Sequence, residues 1–190
     1  MVSRLVLAFV ASLFLAACQT TGETTETVSW EDPIQSARKI TVAPGQPKVM
    51  SYRYRSIPAG WQENVKFSQG QIFVTALIER YFLISQLEQE KAEMIEQYKS
   101  LIANGFEIDK FEAGTQRSEP AFFGIIRSLS MSCVLFRKYT THPGASQGYL
   151  QSEEHRTAKI DGFHCITNSS ESNTALIGSA KQLMTRISFR

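Results

Sequence analysis

Shortages are the first guide to this sequence. It has only three histidines and three cysteines in 190 residues. The histidines fall at 142, 155 and 164, so their spacings are 155 − 142 = 13 and 164 − 155 = 9. Neither spacing matches a helical i,i+4 pair or the spacing of zinc ligands. Neighbouring carboxylates such as Glu153-Glu154 and Glu31-Asp32 would point apart in a strand, and solvation accounts for them. The residues therefore call for no metal and no cofactor. Charge of one sign is also lacking, with 20 Lys+Arg against 18 Asp+Glu. Near-balance removes the electrostatic case for nucleic acid or for strongly acidic surfaces. Long apolar runs are missing past residue 15. The longest, Ile72-Phe73-Val74 resumed at Ala76-Leu77-Ile78, ends at Glu79, far short of the ~20 residues a membrane helix needs. What remains, 43% hydrophobic and 20% charged residues, is the composition of a globular chain.

The first eighteen residues carry an address. Met1-Val2-Ser3-Arg4 holds the positive end, and Leu5 to Leu15 reads LVLAFVASLFL. Eleven helical residues rise about 16 Å, roughly half of a bilayer core, which suits a signal peptide rather than a span. Leu15-Ala16-Ala17-Cys18 follows. These residues resemble the lipobox of bacterial lipoproteins. That resemblance covers only residues 1–18 and implies cleavage after Ala17, a diacylglycerol thioether on Cys18, and a lipid membrane as partner. Two or more acyl chains are needed because one alone binds membranes only marginally. By the same resemblance, Gln19 rather than Asp after the cysteine favours the periplasmic face of the outer membrane.

Without its 17-residue signal the chain keeps 190 − 17 = 173 residues, enough for one domain with a sizeable core. It then carries 20 − 1 = 19 basic residues against 18 acidic. With Cys18 committed to lipid, Cys133 and Cys165 remain. In an oxidising periplasm an even remainder reads as a disulfide, which would contribute roughly 3–4 kcal/mol for a loop of this size. Two buried thiols, or a metal pair with His164, are the alternatives.

Residues 18–29 form the lipidated cysteine and a Thr-rich tether with nothing to bury, and residues 30–190 a single globular domain. Its first half reads as strands: Arg38–Val42, Lys48–Ser56, Gln62–Phe67 and Gln71–Ile78, with turns at Ile57–Gly60 and Ser68–Gly70. In the second strand Met50, Tyr52 and Tyr54 fall on one face, Arg53 and Arg55 on the other. From Leu83 to Asn104 apolar residues recur at helical spacing, closed by Gly105. Glu88–Lys91 and Glu96–Lys99 can pair on its wet face. The period runs back to Phe73, so residues 71–82 fit either strand or helix. Leu176, Ile177, Ala180, Leu183, Met184 and Ile187 mark a C-terminal helix with Asn173 as N-cap. Ser132–Thr140 and Ala158–Thr167 read as strands. If Cys133 faces Cys165, opposed residues sum to 298, which sets Leu135 against Phe163 and Arg137 against Asp161. The fold class this implies is α+β: an antiparallel sheet with an amphipathic central helix and a C-terminal helix on one face.

One string has a catalytic look. Gly144-Ala145-Ser146-Gln147-Gly148 fits the G-x-S-x-G of a nucleophile elbow, with Asp161 and His164 following in order. Its setting, THPGASQGY, is that of a surface loop, where His142 and His155 would also be solvated. His164, on the strand face opposite Cys165, reads as a surface or partly buried residue. Pro120–Ile126, PAFFGII, is an apolar run that suits a buried strand or short helix or, exposed, a docking patch. The reading that accommodates most of this is a non-enzymatic envelope lipoprotein, a binding or assembly-accessory domain held at a membrane, with an envelope protein as a further partner. The alternatives are a small serine hydrolase using Ser146, Asp161 and His164, and a subunit of a secretion or envelope complex docking through 120–126.

Overall fold

A computed structural model describes residues 30–31, 38–145, 155–167 and 170–190. The chain runs β1 (Ile40–Val42), β2 (Val49–Ile57), β3 (Gly60–Phe67), β4 (Gly70–Leu77), β5 (Phe82–Leu83), α1 (Leu87–Gln97), α2 (Lys99–Ile102) and β6 (Glu107–Gln116). It continues with β7 (Glu119–Arg127), β8 (Ser132–Thr140), β9 (His155–Arg156), β10 (Ala158–Ile166), α3 (Asn173–Thr185) and β11 (Ile187–Phe189). Seven strands make one antiparallel sheet in the order β2-β3-β4-β10-β8-β7-β6. The fold is α+β. Two meanders, β2-β3-β4 and β6-β7-β8, are zipped together by β10, which arrives late in the chain and occupies the centre. β1-β11 and β5-β9 form two small ribbons at the side.

The sheet is covered on both faces. Ile72, Val74, Phe123, Ile125, Val134, Phe136 and Ile160 meet Leu176, Ile177, Ala180, Leu183 and Met184 of α3 on one of them. On the other, Phe122, Ile126, Cys133, Leu135 and Tyr139 meet Met94 and Tyr98 at α1. The helices thus lie on opposite faces instead of sharing one. The reason is visible in β7, where Phe122 and Phe123 are both buried. Adjacent strand residues point to opposite faces, so such a strand requires cover on each side.

Residues 158–166 pair with 132–140 with Cys165 opposite Cys133, Phe163 opposite Leu135 and Asp161 opposite Arg137. The 298 sum therefore holds along the whole strand pair, and Cys133 and Cys165 form a disulfide. Residues 71–77 are strand, because Ile72, Val74 and Ala76 alternate into the α3 core. The central helix consequently starts at Leu87 rather than Leu83, and Leu83 is mostly exposed. Glu88 pairs with Lys91 at 3.8 Å and Glu96 with Lys99, as the spacing requires. Gly105 follows at φ +87°, in the left-handed region that glycine tolerates best. A register shift between Val49 and Ser51 turns Val49 toward the core alongside Tyr52 and Tyr54, and leaves Met50 exposed. The N-cap of α3 is Ser172, whose side chain accepts from Ala175 N at 3.2 Å. Asn173 is instead the first helical residue, and its Oδ1 accepts from Arg127.

Candidate binding groove

Polar chemistry concentrates on the α1 face, and its centre is Arg137. This residue sits mid-β8 and is only 1% exposed. Its Nε donates to Asp161 Oδ1 at 2.6 Å, Nη1 to Glu90 Oε2 at 2.9 Å and Glu93 Oε2 at 2.8 Å, and Nη2 to Gln97 Oε1 at 2.9 Å. Residues 90, 93 and 97 are i, i+3 and i+7, one stripe of α1 aimed at the sheet. Tyr139 donates its hydroxyl to Glu90, and Ser85 N donates to Glu90 Oε1 at 3.0 Å. Burial works against the Arg137 charge. The adjacent Asp161 carboxylate and the bonds to Asp161 and Glu90 outweigh it and raise the guanidinium pKa above its ordinary value. Burial, together with the Glu90 charge, holds the Tyr139 phenol protonated well past its usual range. A charge this deep is tolerated only when its donors are spent, and each nitrogen of the guanidinium has a partner. The network fixes where α1 lies.

That position leaves half of the face open. On this face α1 covers β8 and β7, while no helix among the described residues lies over β3 and β4. The step between covered and uncovered halves is a groove of about 570 Å³, within the usual ~300–1,000 Å³ of small-molecule sites. One wall is Gln97, Tyr98, Leu101 and Asn104; the floor is Gln62, Phe73, Thr75, Lys159 and Asp161; Trp30 and Arg55 stand opposite. Trp30 is placed by Glu31, which exchanges two 2.7 Å backbone bonds with Tyr54 on the edge strand β2. The Arg55 guanidinium lies 4.6 Å over the Trp30 ring, and Trp30 tilts against Phe73 at 6.3 Å. Arg55 Nε donates to Gln62 Oε1 at 2.6 Å, and Gln62 in turn donates to Thr75 at 3.0 Å. Lys159 Nζ is 3.4 Å from Asp161. Burial, and then the Asp161 charge, push the Tyr98 phenol well above its ordinary pKa, so it stays a neutral donor. The groove is thus a rigid, mixed surface: aromatic rings and side-chain amides, with two cations against one carboxylate already held by Arg137.

The residues singled out in the sequence fall elsewhere or take other roles. Cys18 and Ser146 lie outside the described residues. Asp161 and His164 are three apart on β10 and point to opposite faces, Asp161 into the Arg137 network and His164 toward the α3 side. They do not form the acid–histidine pair that a hydrolase using Ser146 needs. His164 is 5% exposed, and burial lowers its pKa. His142 is half-buried, packing edge-on to Trp61 at 5.6 Å and Phe189 at 5.3 Å, and burial lowers its pKa too. His155 stacks on Tyr81 at 3.7 Å. Residues 121–126 form the buried core of β7, so they offer no docking patch. The groove residues were missed because the uncovered faces of β3 and β4 look in sequence like an ordinary solvated sheet face. One signal was available, the repeated Gln and Thr at 62, 71 and 75 in place of charges. No helix among the described residues is long and apolar enough to cross a membrane. In comparison with known proteins, no family model, no curated protein and no solved structure matches this chain.

Proposed function

We propose that this chain is a lipid-anchored, non-enzymatic binding domain of the bacterial envelope, with the groove beside α1 as its recognition site. Anchoring rests on the LAAC sequence ending at Cys18, with Gln19 favouring the outer membrane. The Cys133–Cys165 disulfide fits an oxidising compartment. The observation that carries the reading is the groove itself: an open, pre-shaped concavity that brings aromatic faces and side-chain amides together beside α1. Its walls are locked by the Arg137 network and by the Arg55–Gln62–Thr75 chain, so a ligand meets a site that is already ordered.

The test is complementation of a deletion strain with the full-length chain. Ser100 is exposed on the groove wall, so Ser100→Trp should fill the groove without disturbing the core. That variant should accumulate to wild-type level and reproduce the deletion phenotype, whereas Ser146→Ala should complement fully. Full complementation by Ser100→Trp, with failure of Ser146→Ala, would move the function from the groove to the serine.

A further inference from the structure

We infer that the groove takes a saccharide bearing a carboxylate; this rests on the groove being the binding site. The first ground is Arg55. Its Nε is used by Gln62, which is itself tied to Thr75, and its plane is held against Trp30. Its terminal nitrogens have no partner among the described residues. An oriented guanidinium fork with its outer edge free is matched by the two oxygens of one carboxylate. Lys159 on the same floor adds a second positive charge. The only carboxylate in the lining among the described residues, Asp161, is bonded through Oδ1 to Arg137 and lies against Lys159 through Oδ2, so it is a poor competitor for Arg55.

The second ground is the distribution of the remaining polar groups. Gln71 and Asn104 line the groove, and their side-chain amides have no partner among the described residues. An amide offers a donor and an acceptor side by side, the pairing that adjacent hydroxyls on a sugar ring require. Half-buried Phe73, lying against Trp30, presents an apolar surface on which the C–H face of a pyranose can be buried. An acyl chain in the same place would cover the guanidinium and the amides without satisfying them. An extended peptide is disfavoured for another reason. The floor strands β3, β4 and β10 are interior strands whose backbone groups are spent on the sheet, so no main chain is left to pair with a peptide.

The experiment uses the full-length protein in detergent micelles, titrated calorimetrically with two disaccharides. One is N-acetylglucosaminyl-N-acetylmuramic acid, which carries a carboxylate on its lactyl group; the other is neutral chitobiose. The acidic disaccharide should bind about tenfold or more tighter than the neutral one, the gain expected of one oriented charge-assisted pair. Arg55→Gln should erase that preference while leaving weak binding of both sugars. Gln71→Ala should weaken both. Equal affinity of the wild-type protein for the two sugars, or an acid preference that survives Arg55→Gln, would overturn the carboxylate assignment. No binding of either sugar would overturn the saccharide assignment altogether. If Ser100→Trp still failed to complement in that case, the groove would remain the functional site for a different ligand.

Discussion

At the scale of single residues, Arg137 and Glu90 carry the greatest consequences. Both are buried in the interior between sheet and helix, at 1% and 0% exposure. Removing one partner leaves the other charged and unpaired in low dielectric, which costs ~3–5 kcal/mol. We therefore expect Arg137→Ala to lower the unfolding free energy by about that amount in urea titration. Arg137→Met combined with Glu90→Leu should recover part of the loss, because an apolar pair of similar volume carries no desolvation penalty. A loss below about 1 kcal/mol for Arg137→Ala would mean that water reaches the site. The opposition of Arg137 and Asp161 was legible in the sequence, since the cysteine pair sets their register. The participation of Glu90, Glu93 and Gln97 was not. Their i, i+3, i+7 spacing is common on wet helix faces, and nothing local distinguishes a carboxylate aimed at a buried arginine.

At the scale of elements, β10 is the strand on which the sheet depends, because it alone joins the two meanders. The disulfide fastens it to β8 across a sequence separation of 32 residues. Closing a loop of that length restricts the unfolded chain by roughly 3–4 kcal/mol. The reduced protein should thus lose about that much stability in urea titration relative to the oxidised form, with no change when Cys133 and Cys165 are both replaced by Ala and reductant is then added. Unmodified protein should show neither cysteine to a thiol reagent until it is reduced; two reactive thiols at the outset would contradict the bond. Strand identity was legible from alternation in β2, and β3, β8 and β10 read as strand candidates between turns. The beginning of α1 was not, because Phe73, Leu77, Tyr81 and Ile84 fit a helical period as well as Ile72, Val74 and Ala76 fit a strand. Pairing of β4 with both β3 and β10 decides the matter, and that pairing is a long-range fact.

At the scale of the whole molecule, Cys18 is proposed to hold the membrane and the groove beside α1 to bind. Cys18→Ala should abolish incorporation of labelled palmitate and leave the precursor uncut after Ala17; equal labelling of the variant would refute the anchor. Local chemistry was enough for the alternation of β2, the amphipathic stripe of α3 and the Cys133–Cys165 register, since each depends on neighbours in sequence or on one strand pair. Placement of the helices on opposite faces required the whole sheet, because it follows from β7 being buried on both sides. The groove required more still. It exists because the Arg137 network draws α1 over β8, while Glu31 pairs with β2 and sets Trp30 against Phe73. A concave surface is made of residues distant in sequence, and only their assembly determines which polar side chains are left without partners.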